Sequence, residues 1–211
     1  LFLLTLPLWG KVPRRAEATV NEIAPAMRRA NSFEGWLSVA IFALYTGAEI
    51  SLGLWAGTIL VVQRGLAPER AAWWVAGYFG AITLGRIVVG VVHGRWTNRA
   101  FVRGGGGLAL AGALAFAWGG AGPLPALALA LVGLGFAPIY PGLMHEVPRR
   151  FAPEAVQTVI GRQSGAGALG MTMFPALAGA VAEEAVGAVM VLVVLLILVL
   201  ALAIAWLDRR T

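Results

Sequence analysis

Glu49 is the residue with the most chemistry to offer. It stands inside an apolar run from about Trp36 to Val62, and no other acidic residue falls within any of the long apolar runs of the chain. If that run is a helix, Glu49 lies about 20 Å along its axis at 1.5 Å per residue, near the mid-depth of a membrane. Placing a charge there costs about 2.5–3.5 kcal/mol even on the lenient insertion scale, so such a carboxyl is either functional or a protonated link between helices. Phe42, Tyr45, Glu49 and Ala56 share one helical face. A phenol and a carboxyl among small residues suit a polar ligand. With Gly47, Gly53 and Gly57 beside them, they equally suit a close helix contact.

Two arginines lie within apolar runs. Arg86 precedes Val92 by six residues and Arg162 follows Val156 by six, so each sits about 9 Å in from the same side. They could grip an anion together, or each could snorkel to the interface or bond a neighbour's carbonyls. Pro138, Pro141 and Pro175 should kink their helices, with Tyr140 between the first two and Gln163 beside Arg162. Tyr45, Glu49, Tyr140 and Gln163 are therefore the candidate lining of a polar cavity. His93 and His145 are far apart and there is no cysteine, so neither a metal site, a cofactor site nor a disulfide is expected. One mid-depth carboxyl and two histidines at run ends do not make an enzyme's acid-base cluster. Gly104 to Gly107 is no phosphate loop, because no Lys-Ser/Thr follows it.

The elements that must position these residues are membrane spans. Apolar residues make up 59% of the 211 and charged residues 12%, far from the roughly 45–50% and 25% of soluble domains. Six runs are long enough to cross a hydrocarbon core of about 30 Å: about 36–62, 71–92, 104–120, 126–144, 156–182 and 185–207. The fold class is all-α and integral to a membrane. Residues 1–9 read as the end of a truncated helix and 10–35 as a linker, with Asn31 and Glu34 resembling a capping box; 36–211 form the six-helix domain. The sixth run has no polar face and is expected to look at lipid.

The net charge of +6 sits in short clusters between runs rather than along one face, which argues against a nucleic-acid partner. Lys11, Arg14, Arg15, Arg28 and Arg29 precede the first span; Arg95, Arg99 and Arg103 follow the second, Arg149 and Arg150 the fourth, and Arg209 and Arg210 the sixth. These are twelve basic residues, against only Arg64 and Arg70 in the alternate loops. Such asymmetry puts the basic side, with both ends of the chain, in the cytoplasm.

The second span and its loop, Gly85-Arg86-Ile-Val-Val-Gly90-Val-Val-His-Gly94-Arg95-Trp-Thr97-Asn98-Arg99, resemble the Gly-x-x-x-Asp-Arg-x-Gly-Arg-Arg signature of the major facilitator superfamily. Gly90, Arg95 and Arg99 match, while Gly94 replaces the family's Asp and Thr97 its second Gly. Tyr45 to Trp55 looks like the seventh helix of the fucose-permease-like sugar branch, Gly135 to Pro141 like its tenth and Gln163 to Pro175 like its eleventh. The resemblance implies helices seven to twelve of a twelve-helix transporter, a three-plus-three inverted repeat completed by an N-terminal half. It implies alternating access by a proton-coupled, or Na+-coupled, symporter for a small polar solute of sugar type in a bacterial inner membrane. An organic-anion or drug carrier, or a non-transporting receptor, would share that half-fold. Arg95 and Arg99, with Arg86 and Arg162, are the candidates for holding and releasing helix ends during the conformational step.

The sidedness has a direct test. A cysteine at Thr97, in a chain that has no other, should resist an impermeant thiol reagent in intact cells and react only in inverted vesicles. Labelling from outside would reverse the assignment.

Overall fold

The computed structural model describes residues 20–92, 96–120 and 122–210, the first four as backbone only. The run before Trp9, Lys11, Arg14 and Arg15 of the linker, and His93, Gly94 and Arg95 lie outside the described residues. The described residues form eight helices: α1 (Val20–Ala30), α2 (Phe33–Val62), α3 (Pro68–Val92), α4 (Asn98–Trp118), α5 (Leu124–Phe136), α6 (Ile139–Arg150), α7 (Pro153–Glu184) and α8 (Ala188–Arg210). Among the described residues six spans are long and apolar enough to cross a membrane, the fourth being α5 and α6 taken together as Leu124–Arg150.

Local chemistry sets the helix ends. Ser32, rather than Asn31, caps α2, its hydroxyl accepting the Gly35 N–H at 3.3 Å; the Asn31 side chain accepts from Arg162 instead. Thr97 caps α4 by accepting the Ala100 N–H at 3.2 Å. The third span thus begins at Asn98, ahead of the apolar run, because a capped turn can stay helical in the polar interface. At the other end of α2, Gly65 adopts φ +63°, a conformation that disfavours any side chain, and the Leu66 N–H turns back to Leu60 O at 3.0 Å.

Between α5 and α6, Ala137 and Pro138 keep right-handed helical angles. Proline lacks an N–H, so Pro138 and Pro141 withdraw the usual donors from Leu134 O and Ala137 O. The span divides into two helices but does not turn aside. Pro175 likewise sits inside an unbroken α7 and leaves Met171 O without its helical donor.

The first span packs on the fifth and sixth, the fourth on the second and third, and the third on the sixth. Exchanging spans one to three for four to six leaves this pattern unchanged, as a three-plus-three inverted repeat requires. Lipid removes the hydrophobic drive between helices, so close packing and side-chain hydrogen bonds must hold them. Both are present between α2 and α7. A Cβ on Gly170 would strike Ala43 O and the Thr46 hydroxyl. Gln163 Nε2 donates to Ser38 O at 3.4 Å, the Thr46 hydroxyl to Gly167 O at 2.8 Å and Trp55 Nε1 to Pro175 O at 3.2 Å.

The sixth span, all apolar as read from sequence, has two fates. Val189, Val193, Ile197, Leu200 and Ile204 are buried, on a helix that packs against α2 and α4, while Val191, Leu195 and Leu202 stay exposed. Only the second face is left for lipid. Outside the spans, α1 rests on the α6–α7 junction through Ala26 and Ala30 against Val147, Phe151, Ala155 and Val159.

Candidate functional site

Tyr45 and Glu49 are one turn apart on α2, and the Tyr45 hydroxyl donates to the Glu49 carboxylate. Arg86 reaches both from α3: its NH2 lies 3.8 Å from Glu49 Oε2 and donates to the Tyr45 hydroxyl at 3.4 Å. By residue count the Arg86 and Glu49 backbones differ by about 10 Å in depth, yet the long arginine side chain spans the gap. Tyr78, fully buried on α3, fixes the level of the pair by donating to the Glu49 carbonyl at 2.9 Å.

The fourth span closes one side of this cluster. Tyr140 meets Phe42 edge-on at 5.2 Å between ring centroids and Tyr45 at 6.3 Å, and Phe136 meets Tyr45 at 5.7 Å. A cavity of about 160 Å³ is lined by Tyr45, Thr46, Glu49, Ile50, Arg86, Tyr140 and Met171. A second, of about 380 Å³, continues past Arg86 and Tyr140 toward Asn98 and His145, with Pro138, Pro141 and Gly142 on its wall. Arg86 and Tyr140 line both. The prolines and Met171, where the helical ladder loses donors, thus border open space.

Of the residues singled out in the sequence, Tyr45, Glu49, Tyr140 and Arg86 come together here. Gln163 does not line either cavity; it is buried and tied to Ser38 O on α2. Arg162 is elsewhere too, donating to Ala30 O at 3.2 Å and Asn31 Oδ1 at 2.8 Å and lying over the Trp36 ring. It fastens the α1–α2 junction to α7, so the two arginines do not form a joint anion grip, because a shared depth does not mean a shared face.

Sequence reading missed a second polar cluster, at the basic side. Glu146, nearly buried on α6, accepts from Asn98 Nδ2 at 2.8 Å and lies 3.4 Å from Arg149, 3.5 Å from Arg150 and 3.7 Å from Arg99. Arg150 also pairs with Asp208 of α8 at 2.5 Å, and Arg99 donates to the Asp208 carbonyl at 3.2 Å. The ends of α4, α6 and α8 are joined through these groups. Glu146 and Asp208 read as loop residues because charge marked the run ends, yet both helices continue through them. The spacing of Glu146 to Arg149 and Arg150, three and four residues, was the available signal.

No family model matches the chain, and no curated protein matches it. Solved structures do. A major facilitator superfamily transporter, FucP, in the outward conformation superposes with a TM-score of 0.82 at 16% identity, over 97% of this chain and 51% of that one. A variant of the E. coli fucose:proton symporter FucP gives 0.79 at 15%, over 97% and 52%. The chain has half of a major facilitator superfamily fold. It spans about half the length of those transporters, and at this identity the likeness carries the fold alone.

The charge cluster makes a stability prediction. Arg150→Ala leaves Glu146 and Asp208 buried with less compensation and should cost about 3–5 kcal/mol. Arg149→Ala removes a mostly exposed partner of the same Glu146 and should cost about 0–1 kcal/mol. Thermal unfolding of the two variants in detergent checks the contrast; equal effects would mean that the cluster is a solvated surface network.

Proposed function

We propose that this chain is the C-terminal half, helices seven to twelve, of a secondary active transporter that moves a small polar solute by alternating access. The solute is of sugar type and its movement is coupled to protons. The observation that carries the reading is a carboxyl, a phenol and a guanidinium from two spans meeting at mid-depth beside open cavities. Polar groups at that depth are costly, and a merely structural link would be closed off rather than bordered by space on two sides.

The chemistry suits coupling. Tyr45 and Arg86 both stand at the Glu49 carboxyl, so its protonation depends on the occupancy and geometry of its neighbours. A solute that hydrogen-bonds Tyr45, Tyr140 or Glu49 alters those neighbours, and the two binding events are thereby linked. Tyr140 lines the inner cavity and the one that leads toward the basic side, and is placed to divide them. Arg99, tied to Glu146 and Asp208, holds the span ends that must separate if the basic side opens. The sugar type and the proton are proposed by analogy with the fucose:proton symporter whose fold the chain matches; the basic asymmetry supports the placing of both ends in the cytoplasm.

The test uses the complete transporter. Glu49→Gln should keep expression and fold, lose uphill accumulation and the pH dependence of solute affinity, and retain solute exchange. Wild-type accumulation with unchanged pH dependence would reduce Glu49 to a hydrogen-bonding link between helices.

A further inference from the structure

Arg86 is the unusual member of the cluster. Its side chain is 46% exposed while that of Glu49 is 14% exposed, and their nearest atoms are 3.8 Å apart. A charge-assisted hydrogen bond between such groups would measure about 2.7–2.9 Å. The hydrogen bond to the Glu49 carboxylate comes from Tyr45 instead. Arg86 therefore has a counter-charge but is not locked to it, and its guanidinium borders both cavities.

A planar fork of donors beside open space matches a carboxylate or a phosphate held by two parallel hydrogen bonds, and of the two a carboxylate, with one negative charge, is the one that a single proton balances. With Glu49 ionised, the site is neutral overall and a second anion would be repelled. Once Glu49 takes a proton, Arg86 is left without a counter-charge and the site carries one positive charge. Resting on the transporter reading above, we infer that the solute is a polyhydroxylated carboxylate, a sugar acid, whose carboxylate takes the place of Glu49 opposite Arg86 as the proton neutralises Glu49.

The surroundings fit both ends of such a molecule. Tyr45, Thr46 and Tyr140 line the inner cavity; the Tyr45 hydroxyl is given to Glu49 and the Thr46 hydroxyl to Gly167 O, and Tyr140 is the residue placed to meet a solute hydroxyl. Among the described residues, the titratable and charged groups facing Glu49 are Tyr45 from its own helix, Arg86 and Tyr78 from α3 and Tyr140 from α6. Helix α7 offers Met171, which carries no charge. His145 stands at the far end of the larger cavity, outside the exchange. Charge balance follows directly: one proton and one monoanion cross together, so a turnover moves no net charge, whereas one proton with a neutral sugar moves one positive charge.

The complete transporter in proteoliposomes separates the cases, with D-galacturonate and D-gluconate as acid probes and L-fucose and D-galactose as neutral ones. The expected result is acid uptake driven by a pH gradient and indifferent to a potential imposed with valinomycin. Arg86→Gln should weaken acid binding by about thirty-fold or more. Arg86→Lys, which keeps the charge and loses the fork, should fall between, and thermal unfolding of both variants confirms that they are folded. Neutral sugars carried with inward current, or Arg86→Gln affecting both classes equally, would overturn the sugar-acid inference and leave the transporter reading intact. If no probe of either class bound or moved, the transporter reading and this inference would fall together.

Discussion

Hydrocarbon offers no hydrogen bonds, and every other feature of this protein answers to that. Each backbone N–H and C=O crossing the bilayer core must find its partner within the protein, which leaves helices as the structure for a half-fold of this kind. The same constraint governs where the helices are allowed to fail. Pro138 and Pro141 line the larger cavity, and the carbonyl released by Pro175 belongs to Met171, which lines the smaller one. Two of the prolines and one released carbonyl thus border a cavity, while Ala137, whose carbonyl Pro141 releases, is fully buried.

Side-chain polarity obeys the same rule and is gathered into two layers. At mid-depth, Tyr45, Glu49 and Arg86 satisfy one another across α2 and α3, with Tyr78 holding the Glu49 carbonyl. At the basic side, Glu146 draws Asn98, Arg99, Arg149 and Arg150 around itself and Asp208 completes the cluster. Between the layers the contacts are made by small residues and single hydrogen bonds, such as Gln163 to Ser38 O. The outer layer is closed and packed. The inner one borders space, and on the proposed reading that difference separates a latch from a site.

The sequence made the spans legible because length and apolarity are what the bilayer selects for. Ends were harder to read: Asn98 to Arg103 looked like a loop by charge, yet Thr97 caps a helix through them. Glu49 stood out because a lone acid in an apolar run is costly wherever the helix points. Arg162 and Gln163 could not be placed by the same logic, since depth follows from residue count and direction does not; both turn toward α2 and the α1–α2 junction rather than toward the cavities. For Arg86 the count gave the backbone depth alone, and a long side chain can reach several ångströms toward the charge it prefers. Glu146 and Asp208 were hidden among arginines, where an acid looks like ordinary loop composition until the helices are seen to continue.

The central claim is that solute and proton meet at one cluster, so that binding one changes the occupancy of the other. Calorimetric titration of the complete transporter with its solute, repeated near neutral pH in buffers of different ionisation enthalpy, counts the protons exchanged on binding. The account predicts that about one proton is taken up per solute bound and that this uptake disappears in Glu49→Gln. A binding enthalpy independent of buffer in the wild type, meaning no proton exchanged, would contradict it.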